Sequence, residues 1–247
     1  MPRPSPDRDL DGVFAQAARD LQDEGDTPHM LDRGLAIASQ LIPSSAYVGI
    51  SVVQADGRID TPALTDPLVA RIDDLQYRVQ QGPCLDAIAS SEIISSPDLR
   101  QEARWPRWSS KVAELGVVSM LCLRLYTSRD TLGALNLLAT HPEAFDDEAV
   151  ITASHLAAHL AVALAETQHA AELHSGALDR SILGQAEGIL MERFSLTPRR
   201  AFEVLSQVAQ HHNASLGRVA AELVRTRVTP GGHSTEAALN EQEPWLP

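Results

Sequence analysis

Lysine is almost missing from this 247-residue chain: Lys111 stands alone, and every other basic side chain except histidine is arginine. A coding bias toward GC-rich codons is the plain account of that shortage. Arginine nevertheless does what lysine does not, gripping phosphate with a forked donor and stacking on bases. Cysteine is scarce too. Cys84 and Cys122 are the only two, which excludes a disulfide framework. Aromatic residues make up 4% of the chain, so aliphatic side chains must fill the core. No uninterrupted apolar run reaches the ~18 residues of a membrane span. The opening MPRPSPDRD has no signal-peptide core. These absences predict a soluble cytoplasmic protein with no membrane partner.

Catalytic signatures are also lacking. There is no Walker loop, no GxGxxG, no HExxH and no Ser-His-Asp pattern. His155 and His159 share a helix face, a spacing that can hold zinc, but no further ligand accompanies them, so no metal is expected. The pairs Asp73–Asp74 and Asp146–Asp147 read as solvated helix faces or ends. An enzyme is not expected.

What is present is uneven. The net charge is -13, yet the segment 173–228 carries seven arginines against five acids, the one basic stretch of the chain. Apolar spacing predicts a helix around Leu10–Leu21, then a second with Pro28 in its first turn and Thr27 as its cap. AYVGISVV, RIDTPAL, EIISSPDL, VVSMLCLRLYT and TLGALNLLAT read as strands, the last two as a hairpin through SRD. Helical patterns follow Asp66–Pro67, QGPC and RWPRW, the last stopped by Gly116. Hairpin-linked strands mixed with helices predict an α+β fold around an antiparallel sheet, not a doubly wound parallel one.

Beyond Asp146 no proline occurs until Pro198. Val150, Ala157, Leu164, Ala171 and Leu178 stand seven apart. This predicts a long connecting helix with a coiled-coil seam for a second copy; the alternative is two helices broken near Ser175–Gly176. Thr197 then caps a helix with Ala201, Phe202, Leu205 and Val208 inside, and Asn213 exits it. The last helix turns Leu216, Val219, Ala220 and Leu223 inward. Gly184 and Gly188, four apart in a helix, suggest close packing of the helices that follow, because glycine otherwise weakens a helix interior. Phe194 and Phe202 are expected in the core.

The segment Arg180–Met191 reads R-x-x-x-G-Q-A-x-G-I-L-M, followed by A-F-x-x-L at Ala201–Leu205 and the series Asn213, Leu216, Val219, Ala220. In order and spacing it resembles the ANTAR domain. That resemblance implies a three-helix module that binds structured RNA leaders and prevents transcription termination. The chain departs from the family at Glu187, Ser206 and Gly217, where cations are usual, and at Ala209, where serine is usual. QGPCLDA at Gln81–Ala87, LGALNLL at Leu132–Leu138 and the helix after Phe145 resemble a GAF domain. GAF domains are sensors that bind cyclic nucleotides, tetrapyrroles or other small molecules, or only dimerise, and these residues do not choose among them.

The expected organisation is an amino-terminal segment and helix at 1–26, a GAF-like sensor at 27–165, an ANTAR-like module at 166–228 and a disordered tail at 229–247. The expected function is a signal-responsive antiterminator that binds an RNA stem-loop as a homodimer. Candidate RNA contacts are Arg180, Gln185, Arg193, Arg199, Asn213 and Arg218. Cys84, at a turn into a helix where a thiol pKa would fall, is a candidate redox site. The alternative is a sensor and dimerisation protein whose helical module binds a protein. A third possibility, the methionine sulfoxide reduction that some GAF proteins perform, needs Cys84 and Cys122 together and leaves the ANTAR-like segment unexplained.

Overall fold

The computed structural model describes residues 7–90 and 92–228. The expected tail at 229–247 and the first six residues lie outside them. Two compact units divide at His169/Ala170.

In the first unit, α1 (Asp7–Gln22) and α2 (Thr27–Leu41) precede a five-stranded sheet. Its strands are β1 (Tyr47–Val53), β2 (Ile59–Leu64), β3 (Ile93–Ser96), β4 (Ser119–Tyr126) and β5 (Thr131–Ala139). Their order is β2-β1-β5-β4-β3, with every pair antiparallel. The helices α3 (Pro67–Val79), α4 (Pro83–Ala89) and α5 (Pro106–Glu114) sit between strands in the chain. Strand alternation sends successive side chains to opposite faces. On one face Val48, Ile50, Leu121, Leu123, Leu135 and Leu137 pack with Phe14 and Leu21 of α1 and with Leu31 and Leu35 of α2. On the other Met120, Cys122, Ala134 and Leu138 meet Val69 and Ile72 of α3 and Trp108 of α5. The α+β expectation holds.

Local capping follows the sequence with one correction. Asp66 caps α3 through Leu68 N at 2.7 Å, but α2 is capped by Asp26 through His29 N at 3.0 Å, not by Thr27. A carboxylate one position earlier already satisfies the free amide, so Thr27 enters the helix.

The helix α6 (Asp147–Phe194) is unbroken over 48 residues, including Ser175–Gly176, a length of about 72 Å at 1.5 Å per residue. Asp146 accepts from Ala149 N at 2.9 Å and caps it. By length and composition alone α6 could cross a membrane; Ala153, Leu156, Ala157, Leu160, Ala161, Ala163 and Leu164 belong to the first core. The expected seam therefore splits. Ala157 and Leu164 are consumed within the chain, whereas its later members Ala171 and Leu178 are exposed; off the seam, Ile151, Val162 and Leu173 are exposed as well, 56%, 52% and 60%. Ile151, Val162 and Leu173 recur every eleven residues, the period of one face of a nearly straight helix.

The second unit contains the end of α6, α7 (Pro198–His211) and α8 (Leu216–Thr226). Thr197 caps α7 through Arg200 N, and Ser215 caps α8 through Arg218 N. Asn213, at φ 48°, makes the left-handed exit between them. Ala186, Leu190, Ala201, Val204, Leu205, Val208, Val219, Ala220 and Leu223 form a small apolar core. Phe194 packs against its edge, but Phe202 is 43% exposed. It follows Ala201 by one residue and so falls outside the buried 201/204/205/208 stripe.

Candidate nucleic-acid interface and sensor core

The first unit conceals a belt of polar side chains between its sheet and α3–α4. Ser51, Asn136 and Cys122 come from β1, β5 and β4, and Asp73 and Gln76 from α3; all five are buried. Asp73 is not on a solvated face. Its neighbour Asp74 is exposed and pairs with Arg78 at 3.1 Å, but Asp73 shares the inner stripe of Val69, Ile72 and Gln76. Its carboxylate accepts from Thr61 Oγ1 at 2.7 Å, Gln76 Nε2 at 2.9 Å and Ser51 Oγ at 3.3 Å. None of these partners carries a positive charge. Burial therefore raises its pKa from 3.8 to about 6, against the three hydrogen bonds that pull it down.

The belt continues to the cysteines. Gln76 Oε1 accepts from Cys84 N at 2.9 Å, and Gly82, at φ 149°, leaves room for that amide because a Cβ there would collide with Gln76. Asn136 Nδ2 donates to Ser51 Oγ at 2.8 Å, and the Cys122 thiol donates to Asn136 Oδ1 at 3.1 Å. Cys84 Sγ donates to Ser51 Oγ at 3.5 Å. The position of Cys84 at a helix start does not lower its pKa. Complete burial pushes it up to about 12, with the Asp73 charge adding to the rise. Burial likewise holds Cys122 well above its ordinary value. Both thiols stay protonated near neutrality, and a thiol is a poor nucleophile.

His155 and His159 face the ring of Phe14, at 5.2 and 6.2 Å between centroids. Among the described residues no group of three or more His, Cys, Asp or Glu could hold a metal.

The second unit displays its charge instead. Arg199 and Arg200 pair with Glu203, and Arg225 with Glu222. Among the described residues the guanidinium groups of Arg180, Arg193, Arg218 and Arg227 have no partner. Of the residues proposed from sequence, Gln185 and Arg193 come together in one hollow of about 430 Å³, with Gly188, Ile189, Glu192, Val224 and Arg227. Arg218 lines another hollow with His212 and Glu222. Arg180 and Asn213 are exposed and line neither of these hollows, and Arg199 is held at 3.1 Å by Glu203. The two glycines do not serve internal packing. A Cβ added at Gly184 or Gly188 meets no atom within 4 Å. Sequence spacing did not single out Val224 or Arg227 as partners of Gln185, because they reach the hollow from α8. The exposed Phe202 was readable from its place beside the buried stripe.

The GAF domain family profile matches residues 24–165, and that of the ANTAR domain matches 171–224. No curated protein matches the chain. Among solved structures it is similar to the GAF domain of an Acinetobacter phosphoenolpyruvate-protein phosphotransferase. Identity there is 12%, with 70% of this chain and 99% of that one covered, at a TM-score of 0.53. It is similar to the Stigmatella aurantiaca phytochrome photosensory core module, at 12% identity and TM-score 0.56, covering 90% of this chain but 47% of that one. The reduced fRMsr of Staphylococcus aureus is 14% identical, with 66% and 99% covered and a TM-score of 0.50. At such identities these likenesses speak for the sensor fold alone. A GAF sensor fold on one side of His169 and an arginine-bearing ANTAR helical trio on the other make this chain a member of the GAF–ANTAR regulators.

Proposed function

We propose that this chain is a cytoplasmic, signal-responsive antiterminator that binds an RNA stem-loop as a homodimer. The observation that carries this reading is the hollow of the ANTAR domain. There Gln185 lies with two unpartnered guanidiniums, Arg193 and Arg227, in a molecule that is otherwise strongly acidic. Positive groups without internal partners suit phosphate, and a side-chain amide suits a base edge. The bound hairpin would be withdrawn from pairing into a terminator, so the output is a shift between two RNA structures and no bond is made or broken. Dimerisation is supported by Ile151, Val162 and Leu173 on one exposed face of α6. A signal received by the sensor would reach the RNA module along that shared helix. The two protonated, buried thiols support a regulator over a thiol-dependent reductase.

RNA crosslinked to the protein in its host, once sequenced, supplies the leaders. Gel-shift titration of those leaders at two salt concentrations is then expected to show binding that weakens steeply with salt. Absence of binding at micromolar protein and low salt, with the chain folded and dimeric, would favour a protein partner for the module instead.

A further inference from the structure

The polar belt inside the sensor unit has a direction. Thr61 and Ser51 each own one hydroxyl hydrogen, and both give it to Asp73 Oδ2, at 2.7 and 3.3 Å. Their oxygens must then accept. Thr61 takes the hydrogen of Tyr77 at 3.3 Å, and Ser51 takes those of Asn136 and Cys84 at 2.8 and 3.5 Å. Cys122 supplies Asn136 in turn, at 3.1 Å, and Gln76 donates to the other oxygen of Asp73 at 2.9 Å. Every hydrogen in the set points toward the carboxylate. No neighbour accepts one from it without turning over its own. We infer that the belt is a proton switch: uptake of one proton by Asp73 reverses the chain Asp73–Thr61–Tyr77, which makes the sensor unit responsive to pH. The proton comes from water and adds to Oδ2, and no other covalent bond changes. The new hydroxyl donates to Thr61 Oγ1, Thr61 passes its hydrogen to the Tyr77 oxygen, and Tyr77, only partly buried, turns its own toward water. Ser51 offers no such exit, because Asn136 and Cys84 both donate to it and are fully buried.

The surroundings leave the proton to Asp73. Tyr77 on α3, Cys84 on α4 and Cys122 on β4 feel its charge, and burial holds all three above their ordinary values, so they stay neutral around pH 6. On α3 itself Arg71, Asp74 and Arg78 are exposed, as are Asp60 of β2 and Asp86 of α4. The helix α5 turns Trp108 inward and keeps Arg107, Lys111 and Glu114 exposed. On β1 the face of Ser51 also carries Tyr47, and on β4 the face of Cys122 carries Arg124, which is drawn to Glu92 at 3.7 Å. From β5 comes the neutral Asn136. With no cation beside it, the carboxyl titrates at about 6. The chain ties α3 to the edge strand β2, so the two protonation states hold that helix to the sheet by different bonds. This gives the sensor reading a signal, the proton, and stands apart from the RNA-binding reading.

Two built-in reporters test it. Trp108 Nε1 donates to the carbonyl of Ile72 at 3.2 Å, one residue before Asp73, and Tyr77 ends the chain. The full chain is labelled with 5-fluorotryptophan or with tyrosine carrying carbon-13 at Cζ. Both signals, assigned by phenylalanine substitution, are followed by NMR while pH is lowered from neutral to acid. They should move together with one midpoint near the Asp73 value of about 6, and Asp73→Asn should flatten both. Thr61→Val keeps nearly the same shape but gives the carboxylate no hydrogen. It should raise the Trp108 midpoint by about one pH unit and leave Tyr77 flat, and Thr61→Ser should restore the native behaviour. Native signals that stay flat, signals that titrate unchanged in Asp73→Asn, or a midpoint that Thr61→Val leaves in place would overturn the switch. None of these outcomes bears on hairpin binding, which the gel shift decides separately.

Discussion

The two units handle polarity in opposite ways. The sensor unit buries a carboxylate, two thiols, two amides and a hydroxyl together and gives them no cation. Among its described residues the ANTAR unit buries no polar side chain and leaves four guanidiniums without partners. A buried polar network costs stability unless each member is satisfied. Unpaired surface arginines cost the fold almost nothing, yet they confer affinity for anions. The contrast puts the polar side chains of the sensor fold in its interior and those of the ANTAR unit on its surface.

The widest test of this contrast is to break one unit alone. Leu190 is fully buried in the small core, so Leu190→Ala should cost about 2–5 kcal/mol locally. Hydrogen exchange should show α7 and α8 losing protection while amides of β1 and β5 keep theirs. Loss of protection in both units would show that they fold as one.

The second test addresses the sensor interior. The carboxyl of Asp73 titrates at about 6 in the fold against 3.8 in its ordinary state. The folded state therefore holds a proton that the unfolded chain has released, so the Asp73 contribution to stability falls as pH rises from about 4 through about 6 and is constant above. Asp73→Asn removes that loss. It should stabilise the sensor unit by about 2–3 kcal/mol at pH 7.5 and by little at pH 4. Urea unfolding at the two pH values reads this difference; a pH-independent destabilisation would mean that the charge itself holds Thr61 and Gln76 in place.

The smallest effect lies on the surface. Gly184 faces open space, so Gly184→Ala should stabilise the ANTAR unit by about 0.5–1 kcal/mol. A drop in thermal stability would restore the close packing that the four-residue glycine spacing suggests.

Much of this molecule was legible in its sequence. The five strands, the SRD hairpin, the Thr197 cap and the Asn213 exit all follow from local rules that act over a few residues. The errors share a different origin. Asp73 and Asp74 are adjacent acids, and only the stripe of Val69, Ile72 and Gln76 says which of them turns inward. The seven-residue repeat on α6 is real, but its first half is used by the sheet unit; its second half, Ala171 and Leu178, stays open beside an eleven-residue series at Ile151, Val162 and Leu173. Periodicity shows that a face is apolar and not what covers it. The glycines mislead in the same way, since a missing Cβ can serve a ligand as well as a neighbouring helix. Of the six residues proposed for RNA, Arg199 has a partner the sequence already offered, because Glu203 stands four residues on and pairs with it. That Gln185 and Arg193 share a hollow with Arg227 depends on how α8 meets α6, which no local rule supplies.

The central claim is that unpartnered arginines on the ANTAR helices meet phosphate. Its most direct measurement is the salt dependence of leader-RNA affinity for the native chain and for the double variant Arg193→Gln, Arg227→Gln. The native chain should lose affinity steeply with salt, and the variant should bind more weakly with a log–log slope shallower by roughly 1–2. Identical slopes and affinities for the two proteins would contradict the account.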